Sequence, residues 1–145
     1  MAKKPRILFI SENDCCRALM AEGFTRYLAG SLVEVESTGT TGDPMDPYCQ
    51  WAMNEVGIDL GVLETEPLSS KDLGSFSRVV ILGEGDERKI GQIASTTNTT
   101  VWKLPDPAKV RARPLELIKA YRAVRNEVER RVRTLLSETL ERQPS

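Results

Sequence analysis

The stretch from Arg6 to Gly23, RILFISENDCCRALMAEG, decides the fold of this chain. It opens with a short apolar run, Arg6–Ile10, of the kind that forms a buried parallel strand. A polar loop, Ser11–Cys16, follows this run. From Arg17 onward the apolar residues recur at helical spacing. The stretch therefore predicts a strand, a tight polar loop and a helix, in that order.

Three further strands and several helices are predicted along the rest of the chain. The predicted strands are Leu32–Ser37, Arg78–Leu82 and Thr99–Lys103, and the predicted helices are Pro47–Glu55, Lys71–Leu73 and a long one from Pro114 to about Arg142, with Asp86–Ile93 as a short helix or loop. Strands that alternate with helices predict an α/β fold with a mainly parallel sheet. A length of 145 residues favours a single domain over residues 1–145.

The composition excludes several classes of function. A net charge of -1 argues against a surface that neutralises nucleic-acid phosphates, and no apolar run approaches the ~20 residues of a membrane span. The absence of histidine excludes serine–histidine and cysteine–histidine catalysis and removes the commonest zinc ligand, so we predict no metal and no cofactor. Three cysteines, of which Cys15 and Cys16 are adjacent and Cys49 is distant, do not form a disulfide framework and predict a reducing cytoplasm.

The loop after the first strand is the predicted ligand site, because ligands of α/β folds bind beyond the carboxyl ends of the strands. Unpaired amides at a helix start and the forked donors of Arg17 suit an oxyanion. Glu12 and Asp14 oppose it, since two like charges at about 4 Å cost about 4 kcal/mol at an effective dielectric of 20. The alternative is a plain strand-to-helix turn in which Arg17 is solvated or paired with one of these carboxylates.

Motifs in order along the chain resemble the low-molecular-weight protein tyrosine phosphatase superfamily, in a pattern most similar to the thioredoxin-coupled arsenate reductases. The family's hallmark is a cysteine, five residues and an arginine, followed by a helix that contains Met-Ala-Glu-Gly or a similar sequence, and Arg6–Gly23 resembles this pattern. Val35–Gly39 is similar to a family strand that ends in Ser-Ala-Gly, Trp102–Ala108 to the loop with the general acid, and Tyr121–Val128 to the final helix. The resemblance implies a four-stranded parallel sheet flanked by helices on both faces.

The resemblance also implies which residues form the active site. Arg17 matches the arginine that grips the oxyanion, and Asp106 matches the aspartate that protonates the leaving group. Ser11 stands where the family has its nucleophilic cysteine. The matching anion-binding loop consists of Ser11, Glu12, Asn13, Asp14, Cys15, Cys16 and Arg17.

Other positions depart from the family pattern as well. Asn13 and Asp14 replace the usual glycine and asparagine, and Ala18 replaces a serine whose hydroxyl helps to stabilise the thiolate. The two redox cysteines of the reductases would fall near Gly83 and Ile90, and neither residue is a cysteine. Without them a reduction through an intramolecular disulfide cascade cannot run.

These departures predict a catalytically inactive homologue that acts as a regulatory domain and binds a small oxyanion (phosphate, sulfate or arsenate) or a partner protein. A serine hydroxyl needs an adjacent base, which a chain without histidine supplies poorly. The alternatives are an active phosphatase or arsenate reductase-like enzyme with Ser11, Cys15 or Cys16 as nucleophile, an engineered cysteine-to-serine trap, and a purely structural subunit. With no nucleophile present, the alternative role of Asp106 is only to start a turn. No nucleic-acid or membrane partner is predicted.

Overall fold

Four parallel strands form the centre of the molecule. The computed structural model describes residues 4–11, 16–39, 46–83 and 98–141. The strands are β1 (Arg6–Ser11), β2 (Glu34–Gly39), β3 (Arg78–Gly83) and β4 (Thr99–Lys103), in the spatial order β2-β1-β3-β4. Every neighbouring pair is parallel. This sheet confirms the predicted α/β fold, while the single-domain organisation stays a prediction.

Within the described ranges, three α-helices connect or follow these strands: α1 (Cys16–Ala29), α2 (Pro47–Asn54) and α3 (Pro114–Glu141). Helix α2 begins where the sequence predicts, because the Asp46 side chain accepts a hydrogen bond from the Cys49 amide at 3.0 Å and Pro47 occupies the first helical position. Helix α1 ends before Gly30, whose φ of +54° is left-handed. Short 3₁₀ helices lie at Gly30–Leu32, Leu60–Val62, Leu68–Ser70, Leu73–Ser75 and Pro107–Lys109.

The two faces of the sheet are covered differently. Ile7 and Phe9 of β1 point into the larger core, which contains the apolar residues of all three α-helices. Leu8 and Ile10 point to the opposite face, where they pack with Phe76 and the apolar residues of the 3₁₀ helices at 68–70 and 73–75. The strand thus alternates between two apolar environments, as expected of a strand buried on both faces.

Two local predictions differ from the structure. Strand β2 begins at Glu34, two residues later than predicted, because Leu32 lies in an exposed 3₁₀ turn and Glu34 is the residue that pairs with Arg6. The predicted helix at Lys71–Leu73 is wrong. The Asp72 side chain instead accepts from the Gly74 amide at 3.1 Å and starts a separate 3₁₀ turn.

Two further predictions concern residues 86–93 and the absence of a membrane-spanning segment. The predicted helix or loop at 86–93 lies outside the described residues. Among the residues that the structure describes, no helix is long and apolar enough to cross a membrane.

Candidate functional site

Ser11 is the last residue of β1 and lies at the carboxyl end of the sheet, between Gly39 of β2 and Leu82 of β3. Its side chain is fully buried (0% exposed). The Ser11 Oγ accepts a hydrogen bond of 2.6 Å from the Ala18 amide. Amides in the first turn of a helix have no helical acceptor, so this hydroxyl satisfies one donor at the start of α1. Ser11 therefore links the nucleophile position to the helix N-terminus.

The Arg17 side chain extends from α1 to the segment that follows β4, and it is 1% exposed. Its Nη1 donates to the Leu104 carbonyl at 2.9 Å. Its Nη2 lies 3.8 Å from Oδ2 of Asp106. The structure thus brings together Arg17 and Asp106, which are distant in the sequence, at the end of the sheet where Ser11 lies. A guanidinium and a carboxylate in this place can bind an anion and hold a proton donor beside it.

Each carboxylate oxygen of Asp106 has a contact that bears on its role. Its Oδ1 accepts from the Ala108 amide at 3.0 Å and caps the 3₁₀ helix Pro107–Lys109. Its Oδ2 faces Arg17, and the residue is 5% exposed. The structure confirms that Asp106 starts a turn, and it places the other carboxylate oxygen beside Arg17. Whether Asp106 acts as an acid stays a prediction.

Cys16 and Cys49 form a disulfide between the start of α1 and the first turn of α2, with a Cα–Cα distance of 6.0 Å. This distance is typical of disulfides. The expectation that the cysteines would stay unpaired is therefore wrong for this pair. The count of cysteines could not reveal it, because the two residues are separated by 33 positions and meet only when α2 packs beside the start of α1. Cys49 is fully buried, as expected.

Most of the predicted anion-binding loop lies outside the described residues. This holds for Glu12, Asn13, Asp14 and Cys15, and also for Ile90. Gly83, the other position of a family redox cysteine, is the last residue of β3. Within the described ranges there is no cluster of three or more His, Cys, Asp or Glu residues that could hold a metal ion.

The sequence patterns did not predict several contacts that hold the residues of the candidate site in place. The Leu104 carbonyl and the Ala18 amide are backbone groups, and no sequence signal identifies them. The Tyr121 hydroxyl of α3 donates to Oδ2 of Asp46 at 2.8 Å and anchors the start of α2. The Asp46-Pro47 pair predicted the helix start, but nothing in the pattern pointed to the tyrosine.

Comparison with known proteins assigns the family. Residues 6–145 match the family model of the low molecular weight phosphotyrosine protein phosphatases, and the chain belongs to this family. It is 30% identical to an arsenate reductase of Shouchella clausii over 133 residues, which cover 92% of this chain and 95% of the relative. The resemblance inferred from the motifs is thereby confirmed.

Solved structures support the same assignment. An arsenate reductase in the phosphate binding state superposes with a TM-score of 0.79 at 26% identity, covering 93% of this chain and 98% of that chain. A mutant arginine phosphatase with a phosphorylated active site serine superposes with a TM-score of 0.76 at 21% identity, covering 95% of this chain and 97% of that chain. The second likeness shows the fold.

Proposed function

We propose that this chain is an oxyanion-binding member of its family that has lost the turnover of its relatives. The observation that carries the proposal is a hydroxyl, Ser11 Oγ, at the nucleophile position at the end of the sheet that also holds Arg17 and Asp106. The proposal includes a regulatory role, in the cytoplasm, through a partner protein that responds to the bound anion. Phosphate, sulfate and arsenate are the candidate ligands.

Loss of turnover follows from the chemistry of serine. A loop thiol ionises near neutral pH when amides and an arginine surround it, whereas a hydroxyl needs a neighbouring base. The chain has no histidine to supply that base. Loss of a catalytic nucleophile commonly costs about 10⁶ in turnover. A cysteine cascade is also missing, since neither Gly83 nor Ile90, where the resemblance implies the redox cysteines, is a cysteine.

Retained anion binding is supported by Arg17 and by its place at the start of α1. A guanidinium there adds its charge to the helix dipole, which favours an anion at the N-terminus of a helix. An arsenate reductase with a similar fold is described in a phosphate binding state. In this chain an anion would compete with Asp106 and Leu104 for Arg17, because both now contact the guanidinium.

Calorimetry with inorganic phosphate, sulfate and arsenate tests the binding. We expect Arg17→Ala to abolish the heat of binding, because the ligand loses its charged donor. Arg122→Ala is the matched control, since it removes a guanidinium from the surface, where Arg122 is paired with Glu55. We expect this control to bind like the unmodified chain. The absence of binding by the unmodified chain would contradict the proposal.

Turnover is tested on the same protein by phenyl phosphate hydrolysis and by arsenate reduction with a dithiol. We expect rates at the level of the buffer for both. A rate above that level that disappears in Arg17→Ala would show a working active site and would refute the loss of turnover.

A second candidate function is that Ser11 accepts one phosphoryl group and keeps it. It is favoured by the short contact of Ser11 Oγ with the Ala18 amide, which orients the oxygen at the helix N-terminus. An arginine phosphatase of similar fold is described with a phosphorylated active site serine. A loose transition state asks little of the nucleophile, so a hydroxyl can accept the group from a reactive donor.

The atoms of this step balance within the site. A bond forms between Ser11 Oγ and phosphorus, the bond from phosphorus to the leaving group breaks, and Asp106 can deliver a proton to the leaving group. The hydroxyl proton passes to solvent or to the carboxylate. Hydrolysis of the resulting phosphoserine is slow because the chain lacks histidine as a base.

Intact-protein mass spectrometry tests the second candidate after incubation with acetyl phosphate or a phosphoarginine peptide. We expect a mass gain of one phosphoryl group, located on Ser11 by peptide mapping. Ser11→Ala should gain nothing. A gain that persists in Ser11→Ala would assign the modification to another residue and exclude this role.

A further inference from the structure

The Cys16–Cys49 disulfide joins the end of the anion-binding loop to a firmly held helix. Cys16 is the first residue of α1 and directly precedes Arg17. Cys49 lies in the first turn of α2, and both cysteines are nearly inaccessible, at 2% and 0% exposed. The bond therefore constrains the backbone from which the Arg17 side chain projects.

Helix α2 is the fixed side of this connection. Its capping residue Asp46 accepts from the Tyr121 hydroxyl of α3 at 2.8 Å, and Tyr121 stacks on Tyr48 with ring centroids 5.5 Å apart. One turn further along, Nη1 of Arg125 donates to the Ala52 carbonyl at 2.9 Å. Contacts at both ends of α2 hold it on α3, so the disulfide ties the start of α1 to a helix that is itself anchored.

We propose that this disulfide is a reversible redox switch of the anion site. In the oxidised chain it holds the start of α1 in the arrangement in which Arg17 contacts Leu104 and Asp106. Reduction removes the constraint, and Arg17 becomes available to an anion. The inference rests on the proposed oxyanion binding and adds to it the condition under which binding is strong.

The chemistry is a thiol–disulfide exchange with a small-molecule disulfide as oxidant and a dithiol as reductant. Because the pair is buried, exchange requires local opening that brings one sulfur to solvent. In oxidation that thiolate attacks the small disulfide and releases a thiol, and the second cysteine then displaces the other thiol from the mixed disulfide. Two S–H bonds of the protein are lost, one S–S bond forms, and two small thiols leave. A dithiol runs both exchanges in reverse. Ser11 has no sulfur, so the pair is not an intermediate of turnover.

The coupling must be reciprocal. If reduction raises the affinity for an anion, a bound anion favours the reduced pair by the same factor. We expect the reduced chain to bind phosphate at least about 5-fold more tightly, the lower end of ordinary coupling between two sites. Because the bond closes a separation of 33 residues, we also expect reduction to lower the melting temperature by about 10 °C.

The experiment uses the full chain, oxidised with glutathione disulfide or reduced with dithiothreitol, and titrates each form with inorganic phosphate in a calorimeter. Peptide mapping identifies the bonded cysteines in the oxidised form. Cys49→Ala, with Cys49→Ser as a second variant should the smaller side chain unfold the protein, should bind phosphate equally under both conditions and as tightly as the reduced chain. Cys15 and Cys16 remain in both variants. Peptide mapping of the variants therefore shows whether these two cysteines bond to each other when Cys49 is absent.

Each outcome of the titrations supports or contradicts the redox switch. Tighter binding by the reduced chain, lost as a redox difference in the Cys49 variants, supports the switch. Equal affinities of the oxidised and reduced chain overturn the switch and leave the proposed anion binding standing. Absence of binding in both forms overturns the proposed function and the switch with it. A redox difference that persists in the Cys49 variants, or an oxidised chain without the Cys16–Cys49 linkage, overturns the assignment to this pair.

Discussion

Two ion-pair systems of this molecule differ in the burial of their side chains and in the distance between their charged atoms. At the carboxyl end of the sheet, Arg17 and Asp106 are buried, yet their nearest charged atoms stay 3.8 Å apart. Between α2 and α3, Glu55 is partly exposed and takes close hydrogen bonds from Arg122 and Arg125, two of them at 2.6 Å. The α2–α3 system is fully paired and fixes the scaffold. In the system at the sheet end, the carboxylate of Asp106 lies 3.8 Å from the buried guanidinium of Arg17, close to the longest distance of an ion pair.

The strongest way to sharpen this comparison is to restore the thiol with Ser11→Cys. If the end of the sheet still has the geometry of an active site, the variant should hydrolyse phenyl phosphate at least about 10³-fold faster than the unmodified chain, out of the roughly 10⁶ that a nucleophile contributes. Ser11→Ala is the control and should stay at the level of the buffer. No gain in Ser11→Cys would show that the altered loop, and not only the missing sulfur, prevents catalysis.

Arg17→Ala breaks the buried system directly. It removes the hydrogen bond to Leu104 and takes a guanidinium away from the buried carboxylate of Asp106. We expect the free energy of unfolding to fall by about 3 kcal/mol in urea titrations, as for other broken buried pairs. Arg122→Ala, on the surface of α3, should cost clearly less, because water replaces its contacts. Equal losses of unfolding free energy in the two variants would mean that burial does not make the Arg17 contacts more stabilising than the surface contacts of Arg122.

Asp46→Ala tests the anchor that joins the two regions. The variant loses the cap of α2 and the hydrogen bond from Tyr121, so we expect a loss of about 1–2 kcal/mol in the free energy of unfolding. Tyr121→Phe removes only the second contact and should cost about 1 kcal/mol. Urea titrations of both variants separate the two contributions. A larger loss in Tyr121→Phe than in Asp46→Ala would contradict the capping role.

The smallest effect concerns pH and the α2–α3 system. Hydrogen bonding from Arg122, with a further contribution from Arg125 and against the effect of desolvation, lowers the pKa of Glu55 from 4.5 to about 2. A lowered pKa in the folded chain stabilises it above pH 4.5, and this stabilisation is lost as the pH falls toward 2.

Melting curves measured across this range check the sign. The unmodified chain should lose more thermal stability between pH 4.5 and 2 than Glu55→Gln, in which the group cannot ionise. Glu64→Gln, at an exposed position of another segment, is the control and should follow the unmodified chain. An identical pH dependence in Glu55→Gln would show that the pairing contributes nothing to folding.

Much of the fold could be predicted because its signals are local. The apolar runs of β1 and β3, the Asp46-Pro47 start of α2 and the periodicity of α3 each depend on a few consecutive residues. The shift of β2 and the missing helix near Lys71 escaped prediction, because strand pairing and a competing Asp72 turn decided those boundaries.

For the candidate site, the motifs pointed to Ser11, Arg17 and Asp106 but said nothing of their contacts. The Leu104 carbonyl that accepts from Arg17 belongs to the backbone and has no signature in the sequence. The disulfide was predicted to be absent, because an odd number of cysteines carries no information on which of them meet.

The sequence by itself determined which reactive side chains this protein has: a serine at the predicted nucleophile position, no histidine, and glycine at position 83. These are properties of side chains, and packing cannot supply them. Only the tertiary structure decided which groups meet, since α1, α2 and the segment after β4 converge at one end of a sheet. Through this convergence Arg17 contacts Asp106 and Cys16 bonds to Cys49. Such contacts join residues far apart in the chain, where local patterns carry no information.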